Sequence, residues 1–383
     1  LRSIEPFTRT IMPNHLFHPG PIGTMSLIAI ISSTTIQCLL QMRWNMHLIG
    51  FVAEVCVIFY SYLRSVHLGG GYVEKEWNPK VDQNRQRLQF CTICKGYKAP
   101  RTHHCHTCNR CVKRMDHHCP WINGCVGHDN LGAFICFTST VPIGAGHATY
   151  IQICYLLSNF FVSPKYLLSF SCLVLLSTGF AIAMVIGAGL IGAVQWSGII
   201  QNKTQVESWI MKKTTFRERD DVFVFPYDLG WRQNLKQFFN NAWQPDDGIS
   251  WETREGSTLY SLSEEQLAQK VEKYAYASIN LVTKSQSKYN PCCRFGCKLF
   301  YCRSWMDPFI SVKEGDIIRC FHNRNGWAWG EVCDVEIVEG LDHEAVDAMG
   351  TANPGVSLQY FNNKHLVRAK FPRERGRFPL ACI

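Results

Sequence analysis

Four apolar windows organise the chain. Residues 22–40, 48–60, 131–158 and 166–202 are dominated by apolar and small side chains, and the last carries no charged residue over its whole length. About 20 such residues cross a bilayer as a helix, the form in which a single segment satisfies its own backbone polar groups. The pattern predicts four transmembrane helices. The first window holds Gln37 and several Ser and Thr, the second carries Glu54, and the third is interrupted by Pro142, Gly144, Gly146 and His147. Polar groups at such depth must face protein or a cavity. Small residues four apart in the last window, Ala183/Gly187 and Ala188/Gly192, suit close helix contact.

Outside these windows the periodicity changes. Ser263-Glu-Glu-Gln266 reads as a capping box, and Leu267, Val271, Tyr274 and Ile279 follow at helical spacing, which predicts a helix over 264–282. From Phe309 onward short strands are expected at 310–312, 316–321, 327–332 and 378–383. The expected layout is an N-terminal segment with two spans (1–66), a cysteine-rich region (67–130), two further spans (131–202), a polar segment (203–303) and a small β domain (304–383).

Charge sets the orientation of this layout. The segment between the second and third spans holds ten Lys and Arg, from Lys75 to Arg114, whereas the other two linkers offer only Arg43 and Lys165. The positive-inside bias then places the cysteine-rich region and both termini in the cytosol, and it accounts for most of the net charge of +9. A cytosolic setting is reducing, so the 19 cysteines are not a disulfide framework. The chain begins at Leu1 rather than Met, so residues ahead of it are expected, and no cleavable signal is evident.

Candidate chemistry is concentrated between Cys91 and His128, where seven cysteines and six histidines fall. Tetrahedral zinc takes four N or S donors, supplied by short loops as Cys-x-x-Cys pairs closed by distant Cys or His. Two such pairs are present, Cys91/Cys94 and Cys105/Cys108, followed by Cys111 and Cys125. Two histidines must join to fill two sites, and His104 and His118 lie nearest. Cys119 is then left over beside Asp116 and His117, which are suited to orient and to act as base for a nucleophile.

These residues closely resemble the DHHC protein S-acyltransferases, or palmitoyltransferases. The family pattern stands as Cys91-x-x-Cys94, Lys98-x-Pro100-Arg101, His104-Cys105, Cys108, Cys111, Asp116-His117-His118-Cys119, Cys125 and Asn130. The resemblance implies one structural zinc on Cys91, Cys94, His104 and Cys111 and a second on Cys105, Cys108, His118 and Cys125. It further implies a catalytic Cys119 served by His117 and Asp116, which takes a long-chain acyl group from palmitoyl-CoA and passes it to cytosolic cysteines of target proteins. Lys98 and Arg101 would pair with the CoA phosphates, and Trp121 would sit beside the acyl chain. Pro142 and its neighbouring glycines would pack helices or shape an acyl cavity.

Beyond the last span, Thr204-Gln205-Val206-Glu207 occupies the place of the family's Thr-Thr-x-Glu, with Gln205 in place of the second threonine. Tyr227 to Phe239, with Asn234 at its centre, is similar to the family's C-terminal motif. Val312-x-x-Gly315-Asp316, Trp327-x-Trp329-Gly330 and Gly376-x-Phe378-Pro379 resemble an SH3 barrel interrupted by an insertion over 334–370. The expected fold is mainly α, a four-helix membrane bundle with a two-zinc cytosolic domain and a C-terminal SH3-like barrel. Among DHHC enzymes that barrel implies residence in the endoplasmic reticulum membrane, with the Golgi membrane second. Cys292, Cys293, Cys297 and Cys302 lie in a basic segment and are candidate acylation sites for a related enzyme.

A rival reading is a membrane-anchored zinc-finger interaction protein such as a RING-like ubiquitin ligase, in which Cys119 would be a metal ligand. RING domains use eight ligands and leave no ninth thiol beside an Asp-His pair. Nucleic-acid binding is disfavoured because spans pin the cysteine-rich region at both ends.

Overall fold

The computed structural model describes residues 16–159, 164–215, 217, 222–243, 246–275, 278–281, 313, 316–324, 327–337, 358–361 and 365–379. Helices α1 (Pro19–Met42), α2 (Asn45–Leu68), α3 (Leu131–Asn159) and α4 (Pro164–Ile200) coincide with the four apolar windows. All four are long and apolar enough to cross a membrane. Arg43, in the left-handed region at φ 55°, closes α1 by donating to the Leu39 and Leu40 carbonyls, so α2 can begin two residues later.

Two clusters of buried side chains run along the bundle. One gathers Ile58, Tyr62, Phe134, Phe137 and Val141 with Cys119 and Ile122 of the cysteine-rich region. The other joins Leu39, Phe51, Ile151, Tyr155 and Val174. Two polar groups inside the spans, Gln152 and Glu54, find partners there, as their depth requires. Gln152 donates to Thr35 (2.8 Å) and Ser177 (2.9 Å) and accepts from Thr178 (2.9 Å). Glu54 meets His147 Nδ1 at 3.0 Å. The small residues divide between two roles. A Cβ at Gly144 would come within 2.8 Å of Ile58 Cδ1 and one at Gly192 within 3.0 Å of the Thr138 carbonyl, so both permit close helix contact. Gly187, expected to do the same, faces open space and lines a cavity.

The cysteine-rich region is three short antiparallel hairpins: β1 (Phe90–Cys91) with β2 (Gly96–Tyr97), β3 (His103–Cys105) with β4 (Arg110–Val112), and β5 (His117–Cys119) with β6 (Gly124–Val126). After α4 the chain forms α5 (Gln205–Thr214), α6 (Trp231–Trp243) and α7 (Ser261–Ala275). Thr204 and Glu207 make a reciprocal capping box that starts α5.

Residues 265–383 form a second compact unit. Its sheet is antiparallel in the order β10 (Leu358–Phe361), β11 (His365–Pro379), β9 (Trp327–Ile337), β8 (Ile317–Arg324) and β7 (Ser278–Leu281). The helix expected over 264–282 stops at Ala275, and Ser278–Leu281 pairs instead with β8. Ser-Ile-Asn-Leu alternates polar and apolar, and cross-strand pairing there outweighs helical propensity. Val335, Glu336 and Ile337, placed in the expected insertion, continue the β9–β11 ladder opposite Ala369, Arg368 and Val367. The predicted strand at 310–312, residues 380–383 and Cys292, Cys293, Cys297 and Cys302 lie outside the described residues.

Candidate active site and metal centres

The three hairpins repeat at a spacing of 14 residues. Cys91, Cys105 and Cys119 hold one position, Cys94, Cys108 and Ile122 the next, and Lys95, Asn109 and Asn123 the turn. All three turn residues sit in the left-handed region, at φ 54°, 51° and 47°. The third hairpin therefore keeps the backbone of a metal knuckle although its second thiol is Ile122. This repeat explains an interleaved ligand order that pairwise spacing leaves open. His104 lies opposite Cys111 across β3–β4, and His118 opposite Cys125 across β5–β6. Each of these His-Cys pairs meets the knuckle of the hairpin before it, giving Cys91, Cys94, His104, Cys111 and Cys105, Cys108, His118, Cys125.

Both groups could hold a metal ion. His104 Nδ1 lies 3.4, 3.5 and 3.8 Å from the sulfurs of Cys91, Cys94 and Cys111, and His118 Nδ1 lies 3.7, 3.4 and 3.8 Å from those of Cys105, Cys108 and Cys125. Tetrahedral zinc, with bonds of about 2.0–2.3 Å to N and S, sets ligand edges of roughly 3.3–3.8 Å. The donor sets fit that ion, and four protein ligands close each site.

Strand alternation then separates the DHHC residues. In β5 His118 points to the second metal group while His117 and Cys119 face the other way. Among the described residues no fourth hairpin follows, so the third knuckle meets no ligand pair. Cys119 and Ile122 instead join the wall of a cavity of about 230 Å³ within the helical bundle, lined by apolar side chains from α1, α2, α3 and α4. Trp121 lines the end of the cavity beside the hairpins and is half exposed. Its carbonyl accepts from Tyr62 Oη (3.0 Å) and Thr24 Oγ1 (3.4 Å), which ties the loop to α2 and α1. The start of α1 lies against the same loop: a Cβ on Gly20 would overlap the Pro120 carbonyl oxygen. Gly20→Ala is expected to push α1 off the loop at a cost of about 1–3 kcal/mol, seen as a lower Tm in detergent together with slower acyl loading.

Asp116 is held from three sides. His117 Nδ1 is 2.7 Å from its Oδ2, Gln195 Nε2 donates to Oδ2 at 3.0 Å, and the Gln205 N–H donates to Oδ1 at 2.7 Å. Burial disfavours the carboxylate, but these donors together hold it below the usual range. Burial likewise opposes a charged His117, yet Asp116 and the Cys119 thiol outweigh it and push the imidazole up to about 9. A ring with so strong a hold on a proton can take one from the neighbouring thiol and stabilise the thiolate left behind. The Gln205 contact also accounts for the departure from Thr-Thr-x-Glu, because position 205 reaches Asp116 through its backbone. Gln195, an amide set among apolar and small residues in the last window, was the signal in the chain for this support.

Arg101 does not face a ligand. Its guanidinium is fully buried, donating to Glu207 Oε1 (2.6 Å) and Oε2 (2.7 Å) and to the Asn202 carbonyl (2.6 Å), and it lies over the rings of Tyr227 and Trp251. The expectation that it pairs with CoA phosphates is corrected: both its charge and its donors are already used. Arg114, equally buried, shares the Asn202 side chain at 2.8 Å. Lys98 is half-buried beside the first metal group, where Cys91 is held down to about 4, first by its contact with Cys111 against opposing burial, with Lys98 a further contributor. Asn130 ties the third hairpin to α2 by donating to the Ser65 and Cys125 carbonyls, both at 3.0 Å. Asn234 donates to the Ile200 carbonyl at 2.8 Å and accepts from the Leu229 N–H, satisfying backbone groups as expected.

The chain is similar to known proteins of one family. Residues 84–212 match the family described as DHHC palmitoyltransferase. The chain is 34% identical to Palmitoyltransferase ZDHHC6 of Homo sapiens over 367 residues, covering 85% of this chain and 88% of that protein. It is 33% identical to Palmitoyltransferase ZDHHC6 of Danio rerio, over 82% of this chain and 85% of that protein. Identity to Palmitoyltransferase PFA4 of Yarrowia lipolytica is 29%, over 55% of this chain and 66% of that one.

Proposed function

The chain belongs to the DHHC palmitoyltransferase family and is a protein S-acyltransferase, and from that premise we propose that transfer runs through a thioester on Cys119. His117 takes the Cys119 proton while Asp116 fixes the imidazole through Nδ1. The thiolate attacks the acyl-CoA carbonyl, the carbon–sulfur bond to CoA breaks, and the CoA thiolate leaves with the proton held by His117. A cysteine of the target protein, losing its proton to His117, then attacks the acyl-enzyme and frees Cys119, which recovers that proton. One thioester replaces another at each step, so no external energy source is required. The observation that carries this reading is that Cys119 stands on the wall of an apolar cavity while its neighbour His118 belongs to a metal group.

The acyl chain occupies that cavity, with Trp121 beside it at the cytosolic end. Two zinc ions hold the hairpins in register and take no part in the chemistry. Lys98 remains the candidate for the CoA phosphates. The bundle is multi-pass with both termini cytosolic, in the endoplasmic reticulum membrane, and the second unit is an SH3-like module, supported by the pairing of Gly376 with Gly330 and Phe378 with Ala328. Substrates are membrane and other proteins with cytosolic cysteines.

Incubating the purified chain with mixed acyl-CoAs and analysing the Cys119 peptide by mass spectrometry is the direct test. An acyl increment on Cys119, removed by hydroxylamine, is expected; acyl groups found only on other cysteines would refute the assignment. His117→Ala is expected to slow loading by about 10²-fold or more with both metals retained, and metal release in that variant would make His117 a ligand instead.

A further inference from the structure

In the first two hairpins the backbone holds sulfur as well as the metal group does. The Cys94 N–H donates to Cys91 Sγ at 3.5 Å and the Cys108 N–H donates to Cys105 Sγ at 3.4 Å, so the fourth residue of each knuckle faces the sulfur of the first. Such an N–H is a fixed donor for negative charge and needs no rearrangement to act. The third hairpin keeps the same backbone, with Cys119 and Ile122 at the matching positions and Asn123 in the left-handed region at φ 47°. Its turn is closed by the Asn123 N–H, which donates to the Pro120 carbonyl at 3.2 Å.

One bond of the repeat is not made there. Among the described residues the Ile122 N–H donates neither to a carbonyl nor to Cys119 Sγ, although Ile122 is only 2% exposed. The Cys119 thiol instead engages His117, and Cys119 and Ile122 both line the apolar cavity. A buried backbone N–H nearly always has a partner, and this one sits on the wall of the acyl path. The missing second thiol permits the arrangement. A cysteine at position 122 would complete a chelating pair and draw the Cys119 sulfur back over its own turn.

We propose that the Ile122 N–H is an oxyanion donor of the transfer reaction, an inference that deepens the Cys119 thioester reading and rests on it. As Cys119 Sγ bonds to the acyl carbon, the carbonyl π pair moves onto oxygen. That oxygen, two bonds from the sulfur, takes the position facing the Ile122 N–H, at about 2.7–3.1 Å. When the carbonyl re-forms, the bond to the CoA sulfur breaks and the leaving thiolate takes the proton from His117. The second half of the reaction passes through the same oxyanion, with the target cysteine as attacking sulfur and Cys119 as leaving group. The backbone donor that serves a metal-group sulfur in the first two hairpins thus serves a carbonyl oxygen in the third.

The test replaces the amide between Trp121 and Ile122 by an ester, incorporating the α-hydroxy analogue of isoleucine at position 122 of the full chain, so the N–H is lost and the side chain kept. Two rates are read on the Cys119 peptide by mass spectrometry. One is acyl loading from palmitoyl-CoA; the other is modification by methyl methanethiosulfonate, which a thiolate attacks at sulfur without forming a carbonyl oxyanion. Loading is expected to fall about 10²–10³-fold, while modification keeps its wild-type rate and both metals stay bound. An equal fall in both rates would overturn the proposal, since a displaced loop would produce it. The ester also weakens the Trp121 carbonyl as an acceptor. Tyr62→Phe removes a donor from that carbonyl and spares the N–H, so it should leave the ratio of the two rates unchanged; a ratio that drops as far as in the ester chain would assign the effect to the carbonyl and overturn the proposal. Should the ester chain fail to fold, wild type decides by infrared spectroscopy with an isotopically labelled acyl carbonyl. The Cys119 thioester band should lie at lower wavenumber than that of the same thioester in hydrocarbon, and an unshifted band refutes the donor. Absence of any acyl group on wild-type Cys119 would strike down the thioester reading and this inference with it.

Discussion

Cys119→Ser is expected to abolish formation of an acyl-enzyme thioester while the chain still carries two metal equivalents. The reason lies in the threefold repeat of the hairpin. The first two knuckles each meet a His-Cys pair from the hairpin that follows, whereas Cys119 belongs to the third and shares its knuckle with Ile122, which has no donor atom. Removing the sulfur leaves both four-ligand groups complete. Serine is also close in size, and Cys119 is only 6% exposed, so the loop should stay in place and Tm should change little. Labelling with a clickable acyl-CoA, read beside metal content by atomic absorption, checks both halves. Loss of one metal in the serine variant would instead support the zinc-finger reading in which Cys119 is a ligand.

Arg101→Ala is expected to destabilise the fold by about 3–5 kcal/mol, because it leaves Glu207 charged and buried without its partner. Both side chains of this pair have no exposed surface. Asn202 and the face of Tyr227 would lose their contacts with the same guanidinium. Acyl loading should fall with Tm, since α5 would lose its anchor and Gln205 its hold on Asp116. A CoA-contacting arginine would behave differently, raising KM for acyl-CoA at unchanged Tm. The charge-free pair Arg101→Met with Glu207→Gln separates the two ideas further. The side-chain amide introduced by Glu207→Gln would still accept from the Thr204 N–H, and much of the lost stability should return, whereas a missing CoA contact would not be restored.

The extent to which the chain disclosed itself differs from element to element. The four membrane helices were legible because a bilayer imposes one demand on every residue of a span, and that demand survives as composition in windows such as 166–202. The ligand chemistry of Cys91 to Cys125 was equally legible, since soft donors at short spacing have few other uses. Arg101 and Gln205 were misread or undervalued for a common reason. Each acts on a residue far away along the chain, Glu207 and Asp116 respectively, and no local pattern encodes a partner at that distance. The same holds where helix α7 gives way to a strand at Ser278, because its partner strand begins at Ile317.

Local spacing and apolar periodicity thus marked the four spans and the candidate metal donors, and the resemblance of the cysteine pattern to a known family indicated the class of molecule. Three-dimensional assembly alone settled which thiol faces the apolar cavity, which arginine is consumed inside the protein, and which backbone N–H steadies Asp116. Donor type and helix length are properties of neighbouring residues, whereas burial and pairing come into being when distant segments meet.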